Sequence, residues 1–224
     1  MNRTDTAFSA RLRAETHEAH QTAESQRYVS ALTGGGLDVA GYVALVTQHY
    51  VIYEALEGVG GTMRRDPLAG PFVDDALTRL PALVSDLRHL LGPDWRQRIE
   101  PTPAASAYAA RITAVCDSAP HFIAHHYTRY LGDLSGGRHI GRCVCRHYGV
   151  TADAGAEFYR FDRITDPKSY KDAYRARLDA LGLALDEAGR RALLDEVIVA
   201  YGHNTAVFTD LARFVPASAT EGVA

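Results

Sequence analysis

Three glycines, Gly132, Gly136 and Gly137, fall inside the run YTRYLGDLSGGRH from Tyr127 to His139, whose surroundings read as helical. Gly132 and Gly136 stand four apart, so on an α-helix they share a face one turn apart, and that face carries no side chains. Each glycine inside a helix costs roughly 1 kcal/mol relative to alanine, so the three together cost about 2 to 3 kcal/mol. A close approach to the backbone has to offset that cost, and the chain must fold so that something flat or bulky reaches this face.

Spacing alone leaves several occupants open. Two helices crossing tightly on the glycine face need no ligand, although Asp133, Arg129 and Arg138 exclude a membrane version of that crossing. Asp-Leu-Ser-Gly-Gly also reads as a turn. A phosphate cradle lacks the Gly-Lys-Ser/Thr that should follow, and a glycine-kinked core helix needs no function at all.

The rest of the chain narrows the choice. At 224 residues, with 46% hydrophobic and 23% charged residues, it is long enough for one sizeable core, and a single unit over 1–215 is expected. The net charge of -3 gives no bulk attraction to nucleic acid or to an anionic membrane, so an anionic ligand has to meet a local basic cluster. Cys116, Cys143 and Cys145 form no CxxC pair, which argues against a disulfide framework or a zinc site. No apolar signal core and no long apolar run is present, so the expected location is a reducing cytoplasm, without membrane insertion.

In chain order, an amphipathic helix is expected from Thr6 to about Tyr28, with Phe8, Leu12, Ala19 and Ala23 on its apolar side. His17 and His20 interrupt it. A histidine on such a helix is more often a polar residue than a metal ligand, and the local detail in favour of His20 is Glu24 one turn on, whose carboxylate can fix a ligating ring. Asp38 caps a helix expected to run to about Glu57, where Gly58 to Gly61 end it; the proline-punctuated stretch 66–91 and the GPDW connector read as purely structural. A helix over about 104–117 precedes Pro120, which opens the glycine-bearing helix closed by Gly149. Asp166-Pro167 starts a helix on which Lys171 and Arg175 share a face, either solvated or able to clamp two carboxylates. A last helix over about 186–214 sets Val197, Tyr201, Asn204 and Phe208 near one face, and 216–224 reads as a disordered tail. With no multi-strand pattern and no repeat, the fold class is all-α with about eight helices.

Taken together, LRAETHEAHQTAES at Leu12 to Ser25, HYVIYEALE at His49 to Glu57, YTRYLGDLSGG at Tyr127 to Gly137, YKDAYRAR at Tyr170 to Arg177 and YGHNTAVF at Tyr201 to Phe208 resemble the haem oxygenase family over nearly the whole chain. The resemblance implies a single-domain helical bundle with haem sandwiched between a proximal helix and a kinked, glycine-rich distal helix. It places the iron ligand at His20, with Glu24 as its hydrogen-bonding neighbour, and sets Gly132, Gly136 and Gly137 against the porphyrin. Asp133 becomes the anchor of a distal water network that also involves Tyr53, Arg129 and Asn204. Arg13, Tyr127, Lys171 and Arg175 match positions that hold the haem propionates, while Tyr201 and Phe208 match aromatic pocket positions. Tyr201 departs from the expected phenylalanine, and Arg138 and the pair His125-His126 are further differences.

The implied reaction uses haem b as cofactor and substrate, with O2, and yields biliverdin, carbon monoxide and Fe2+ by cleavage at a meso carbon, expected α, for iron acquisition or haem turnover. A neutral histidine ligand pushes less electron density toward O–O cleavage than a thiolate, and glycines let the backbone sit close over the bound gas while water held by Asp133 brings protons. Electrons have to come from a separate reductase or ferredoxin, because no flavin, nicotinamide or iron-sulfur motif is present. A non-catalytic haem-binding or trafficking protein could share His20 and the basic clamp. A thiaminase-like hydrolase needs an activated cysteine, for which no base is identifiable in the sequence, and a di-iron oxygenase needs a carboxylate-histidine set.

Overall fold

The structure, a computed structural model, describes residues 7–115 and 117–217. Cys116 and most of the expected tail, 218–224, lie outside the described residues, as does Thr6. Among the described residues there is no named β-strand, only isolated bridges at Thr151.

The first expected helix is broken. It divides into α1, Phe8–Glu15, and α2, His17–Glu24, with α3 following over Arg27–Gly34. At the break, buried Thr16 leaves helical geometry (φ -105, ψ 4) and its hydroxyl donates to the Leu12 carbonyl at 2.8 Å. Such back-bonding by threonine bends a helix, and here it lets α2 take its own direction.

Asp38 caps α4, Val39–Met63, by accepting the Gly41 N–H. The helix does not stop at the glycines near residue 58. Val59, Gly60 and Met63 are buried, and that packing outweighs the poor helix propensity of Gly58, Gly60 and Gly61. Around α4 pack α5, Leu80–Leu91, α7, Pro103–Ala114, and α8, Ala119–His126, with the short α6, Trp95–Arg98, placing buried Trp95 edge-on to Tyr50. Buried tyrosine hydroxyls lock this core to distant backbone, Tyr28 to the Gly41 carbonyl at 2.8 Å and Tyr42 to that of Gly155 at 2.7 Å.

After α8 the chain adopts two wide π-helical turns, Tyr127–Leu131 and Asp133–Gly137, before α9, Arg138–His147, ends at Gly149 in the left-handed region (φ 67). The expected single distal helix is therefore four pieces in succession, α8, the two π-helical turns and α9. Asp166 caps α10, Pro167–Ala184, and Asp186 caps α11, Glu187–Leu211. This last helix packs against α2, α7 and α8, and so ties the His20 segment to the helices around the glycines.

Candidate functional site

The glycine face is open. A Cβ added at Gly132 or Gly136 would meet nothing within 4 Å, whereas one at Gly137 would touch Asp133 at 3.5 Å and Tyr159 at 3.7 Å. Gly132 and Gly136 therefore present bare backbone outward, and buried Gly137 instead admits two side chains of the site. Among the described residues the π-helical widening is confined to this stretch, a distortion that recurs at functional sites.

Behind the open face lies a polar cage. Tyr53, fully buried on α4, donates a hydrogen bond to the Asp133 carboxylate, and buried Arg129 donates from Nη1 to Asn204 Oδ1 on α11 at 2.9 Å. The Arg129 guanidinium lies 5.1 Å from the centre of the Tyr53 ring. Four of the expected residues, Tyr53, Arg129, Asp133 and Asn204, thus come together from three parts of the chain. Burial pushes the Asp133 carboxyl above its ordinary range, more than the opposing pull of Arg129, the Tyr53 hydrogen bond and Arg79 can reverse. Burial likewise pushes the Tyr53 phenol well up, with the Asp133 charge adding to it.

Several buried polar atoms around the cage have no partner among the described residues: Arg129 Nε and Nη2, and the hydroxyls of Tyr108 and Tyr159. A buried donor left unmatched costs about 1 to 3 kcal/mol, so a cage of this kind suits ordered water or a ligand. Tyr108, Tyr159 and Arg79 were not legible as site residues. Arg79, from the stretch expected to contribute structure only, donates to the Phe158 and Arg160 carbonyls and acts electrostatically on Tyr53 and Asp133. No spacing relation to the glycines marks any of the three.

On α2, His20 Nε2 lies 3.2 Å from Glu24 Oε1, and Nδ1 makes no hydrogen bond among the described residues. The nitrogen on Glu24 is Nε2, so in this rotamer Nδ1 is the one left available, and a turn of the side chain that carried Nδ1 to Glu24 would free Nε2 instead. The Tyr201 ring of α11 stands edge-on to His20, with centroids 5.3 Å apart, and Phe208 stacks on Tyr28 at 6.1 Å. His17 is exposed and unpaired in this way. Among the described residues no three metal-ligating side chains converge.

The basic residues form a loose rim. Lys171 Nζ reaches Ser135 Oγ at 3.2 Å, which ties α10 to the glycine segment, while Arg175 pairs with Asp172 at 2.7 Å. Tyr127 is half-buried; burial raises its phenol, and the charges of Arg175 and Arg13 pull it back, so these three lie within electrostatic reach of one another. Arg13 is exposed and makes no ion pair among the described residues. One cysteine does have a histidine at hand, Cys143 with His139 Nε2 at 3.7 Å, but the thiol is buried and the contact lies within a single turn of α9.

The residues present fit a flat iron macrocycle: a bare backbone face, an available imidazole, aromatic side walls, and a cationic rim for acidic substituents. Comparison with known proteins agrees. The family model described as "Heme oxygenase" matches residues 6–210. The chain is 35% identical over 202 residues to heme oxygenase 1 of Nostoc sp., covering 90% of this chain and 84% of that one. Among solved structures it resembles heme oxygenase-2 of Synechocystis sp. in complex with heme and NO, with a TM-score of 0.89, 32% identity and coverage of 95% and 88% of the two chains. Heme oxygenase-1 of the same cyanobacterium in complex with heme gives a TM-score of 0.86 at 31% identity, covering 92% of each chain.

Proposed function

Because the chain belongs to the haem oxygenase family, we propose that its open glycine face, with His20 as the iron ligand opposite it, binds haem b and cleaves it at a meso carbon, expected α, to biliverdin, carbon monoxide and Fe2+. The protein is an enzyme, and haem is its substrate as well as its cofactor. The single observation that carries the site assignment is the pairing of bare backbone at Gly132 and Gly136 with the cage of Tyr53, Asp133, Arg129 and Asn204 beside it.

Haem, when bound, supplies the iron that activates O2 and the carbon that is oxidised. Everything else falls to side chains. His20 holds the iron, and Glu24 fixes the ring of His20 and keeps it basic. Gly132 and Gly136, with no side chains of their own, would allow the distal backbone to lie against the macrocycle. Asp133, its carboxyl raised by burial and held by Tyr53, orders water and passes protons, while Arg129 and Asn204 brace the cage. Arg13, Tyr127, Lys171 and Arg175 would hold the propionates, and by fixing two carboxylates on one edge they would set the in-plane orientation on which the choice of meso carbon depends. Gly137, Tyr201 and Phe208 complete the walls.

Electrons come from a separate reductase or ferredoxin, and the reaction serves iron acquisition or haem turnover in the cytoplasm. Among the described residues no helix is long and apolar enough to cross a membrane. The test is to incubate the protein with haemin, a reductant and air and to identify the pigment. Biliverdin, with verdohaem before it, is expected; an unchanged Soret band would mean binding without turnover, and loss of that band without either pigment would mean bleaching.

A further inference from the structure

A second cavity, of about 130 Å3, opens beside α4 and shares no lining residue with the bare glycine face. Leu56, Val73 and Phe122 make it apolar on one side, and exposed Gly61 lies at its edge. Gly60 and Gly61 put bare helix backbone where side chains would otherwise close the space. A Cβ at Gly61 would meet nothing within 4 Å, and one at Gly60 would meet only Phe122 and Val73, at 3.8 and 3.9 Å. An apolar cavity of about 150 Å3 takes up benzene, so this one has the size of a single ring.

His126 brings a polar atom to that space. The residue is 4% exposed, and its Nδ1 lies 2.9 Å from the Tyr174 hydroxyl. Tyr174 is fully buried, and among the described residues its hydroxyl has no other hydrogen-bond partner. A hydroxyl that accepted from Nδ1 would leave its own proton without an acceptor, so Tyr174 donates to Nδ1. Burial, with Arg177 adding to it, lowers this histidine to about 3, so the ring is neutral and its single proton sits on Nε2. That N–H makes no hydrogen bond among the described residues, yet it is not sealed in by protein as the orphaned atoms of the cage are, and it therefore faces the cavity that His126 lines.

Glu57, on the wall of the same cavity, supplies an acceptor. Its Oε1 is taken by the Arg79 N–H and the Tyr130 hydroxyl, whereas Oε2 receives only a long contact from the Leu80 N–H, at 3.4 Å. A hydroxyl accepts one hydrogen bond and donates another from the same atom, and so matches this donor and this acceptor together. The rings of Phe122, His126 and Tyr130 form a run, with centroids 5.6 and 4.4 Å apart, that offers faces and edges to an aromatic guest. Glu57 and Asp74 both line the cavity and disfavour any guest with an anionic substituent.

We propose that this cavity is a binding site for a small neutral phenol, whose ring packs on Leu56, Val73, Phe122 and the backbone of Gly60 and Gly61, and whose hydroxyl accepts from His126 Nε2 and donates to Glu57 Oε2. The phenolic proton goes to a carboxylate, which makes that bond stronger than one to a neutral acceptor. The site lies apart from the glycine face and does not depend on haem turnover.

The test uses ferric, haem-loaded protein, in which the glycine face is filled, titrated with phenol by calorimetry beside toluene and 4-hydroxybenzoate. Phenol should bind at one site without moving the Soret band, toluene about 10-fold more weakly for want of the hydrogen bonds, and 4-hydroxybenzoate not at all. In the apoprotein, nitrogen NMR of His126 should show the Nε2-protonated ring, with its N–H shifted by phenol. Gly60→Val fills the cavity and improves helix propensity, and it should abolish phenol binding. His126→Phe keeps a ring without the donor and should bring phenol down to the level of toluene. Equal affinity for phenol and toluene, no heat with millimolar phenol, phenol binding that survives Gly60→Val, or a proton on Nδ1 would each overturn the site. A Soret shift that tracks phenol binding would also overturn it, by placing the ligand at the haem. Should His126→Phe fail to fold, Gly60→Val and the toluene comparison decide.

Discussion

The Tyr53 hydroxyl donates its hydrogen bond to the Asp133 carboxylate across a sequence separation of 80 residues, joining the middle of α4 to the first residue of the second π-helical turn. Asp133 is held there from behind, on the side away from the bare face of Gly132 and Gly136. That geometry makes it a group that orders water near the macrocycle without competing for the iron.

Asp133→Ala should therefore leave haem affinity nearly unchanged and cut biliverdin formation by about 100-fold, within the usual range for loss of a proton-transfer group. With peroxide the variant should oxidise guaiacol faster than wild type, since protons would reach the bound oxygen without steering. Asp133→Asn should keep part of the activity, because an amide still holds water. Wild-type turnover in Asp133→Ala would remove this carboxylate from the mechanism.

His20→Ala should still admit haem but lose the histidine-ligated absorption spectrum and most turnover, with both partly restored by added imidazole. The motivation is the imidazole nitrogen left available once Glu24 has taken the other. His17→Ala is the control. If His17→Ala behaves in this way and His20→Ala does not, the ligand is misassigned.

Lys171 and Arg175 are expected to act on orientation more than on affinity. A charged hydrogen bond contributes about 1.5 to 3 kcal/mol when shielded and much less in solvent, and Arg175 already shares its charge with Asp172. Replacing both by alanine should weaken haem binding only a fewfold and yield a mixture of biliverdin isomers, read by chromatography. One unaltered isomer would reduce the pair to a solvated face.

A separate stability prediction concerns Glu196 on α11, whose almost fully buried carboxylate accepts from Arg111 Nε at 2.9 Å and Nη2 at 2.5 Å and has His125 Nε2 2.9 Å away. Burial opposes its charge, but His125 and Arg111 outweigh it and hold the carboxyl at about 2, against an ordinary value of 4.5. Its contribution is thus present in full above pH 4.5 and lost as the pH falls toward 2. Glu196→Gln should cost about 2 kcal/mol at pH 7, discounted for the exposed side of Arg111. In urea titrations the gap from wild type should stay constant above pH 5 and close near pH 2, as the linkage requires. A gap that widens on acidification would contradict this account.

What was legible in the sequence is what local chemistry dictates. Asp38 caps the helix it was expected to cap, the helices expected to start at Asp166-Pro167 and near residue 186 begin there, and Gly149 ends the one it was expected to end. The break at Thr16 was missed because threonine also sits well inside helices, and only its burial against Leu12 selects the bend. Gly58 to Gly61 were misread as a terminus because packing of Val59 and Met63 overrides propensity. The π-helical turns have no compositional signature, and Arg79, Tyr108 and Tyr159 reach the cage through tertiary contacts that spacing does not encode.

The open space in front of Gly132 and Gly136 has an evolutionary corollary. Alanine at either position would meet no steric resistance and, by helix propensity, would raise the stability of the ligand-free chain by roughly 1 kcal/mol. A screen for thermal robustness alone would therefore tend to fill this surface, and each gain in melting temperature there should come with looser haem binding. Selection on turnover and selection on endurance pull in opposite directions at these two codons, which makes them poor targets for consensus-style stabilisation.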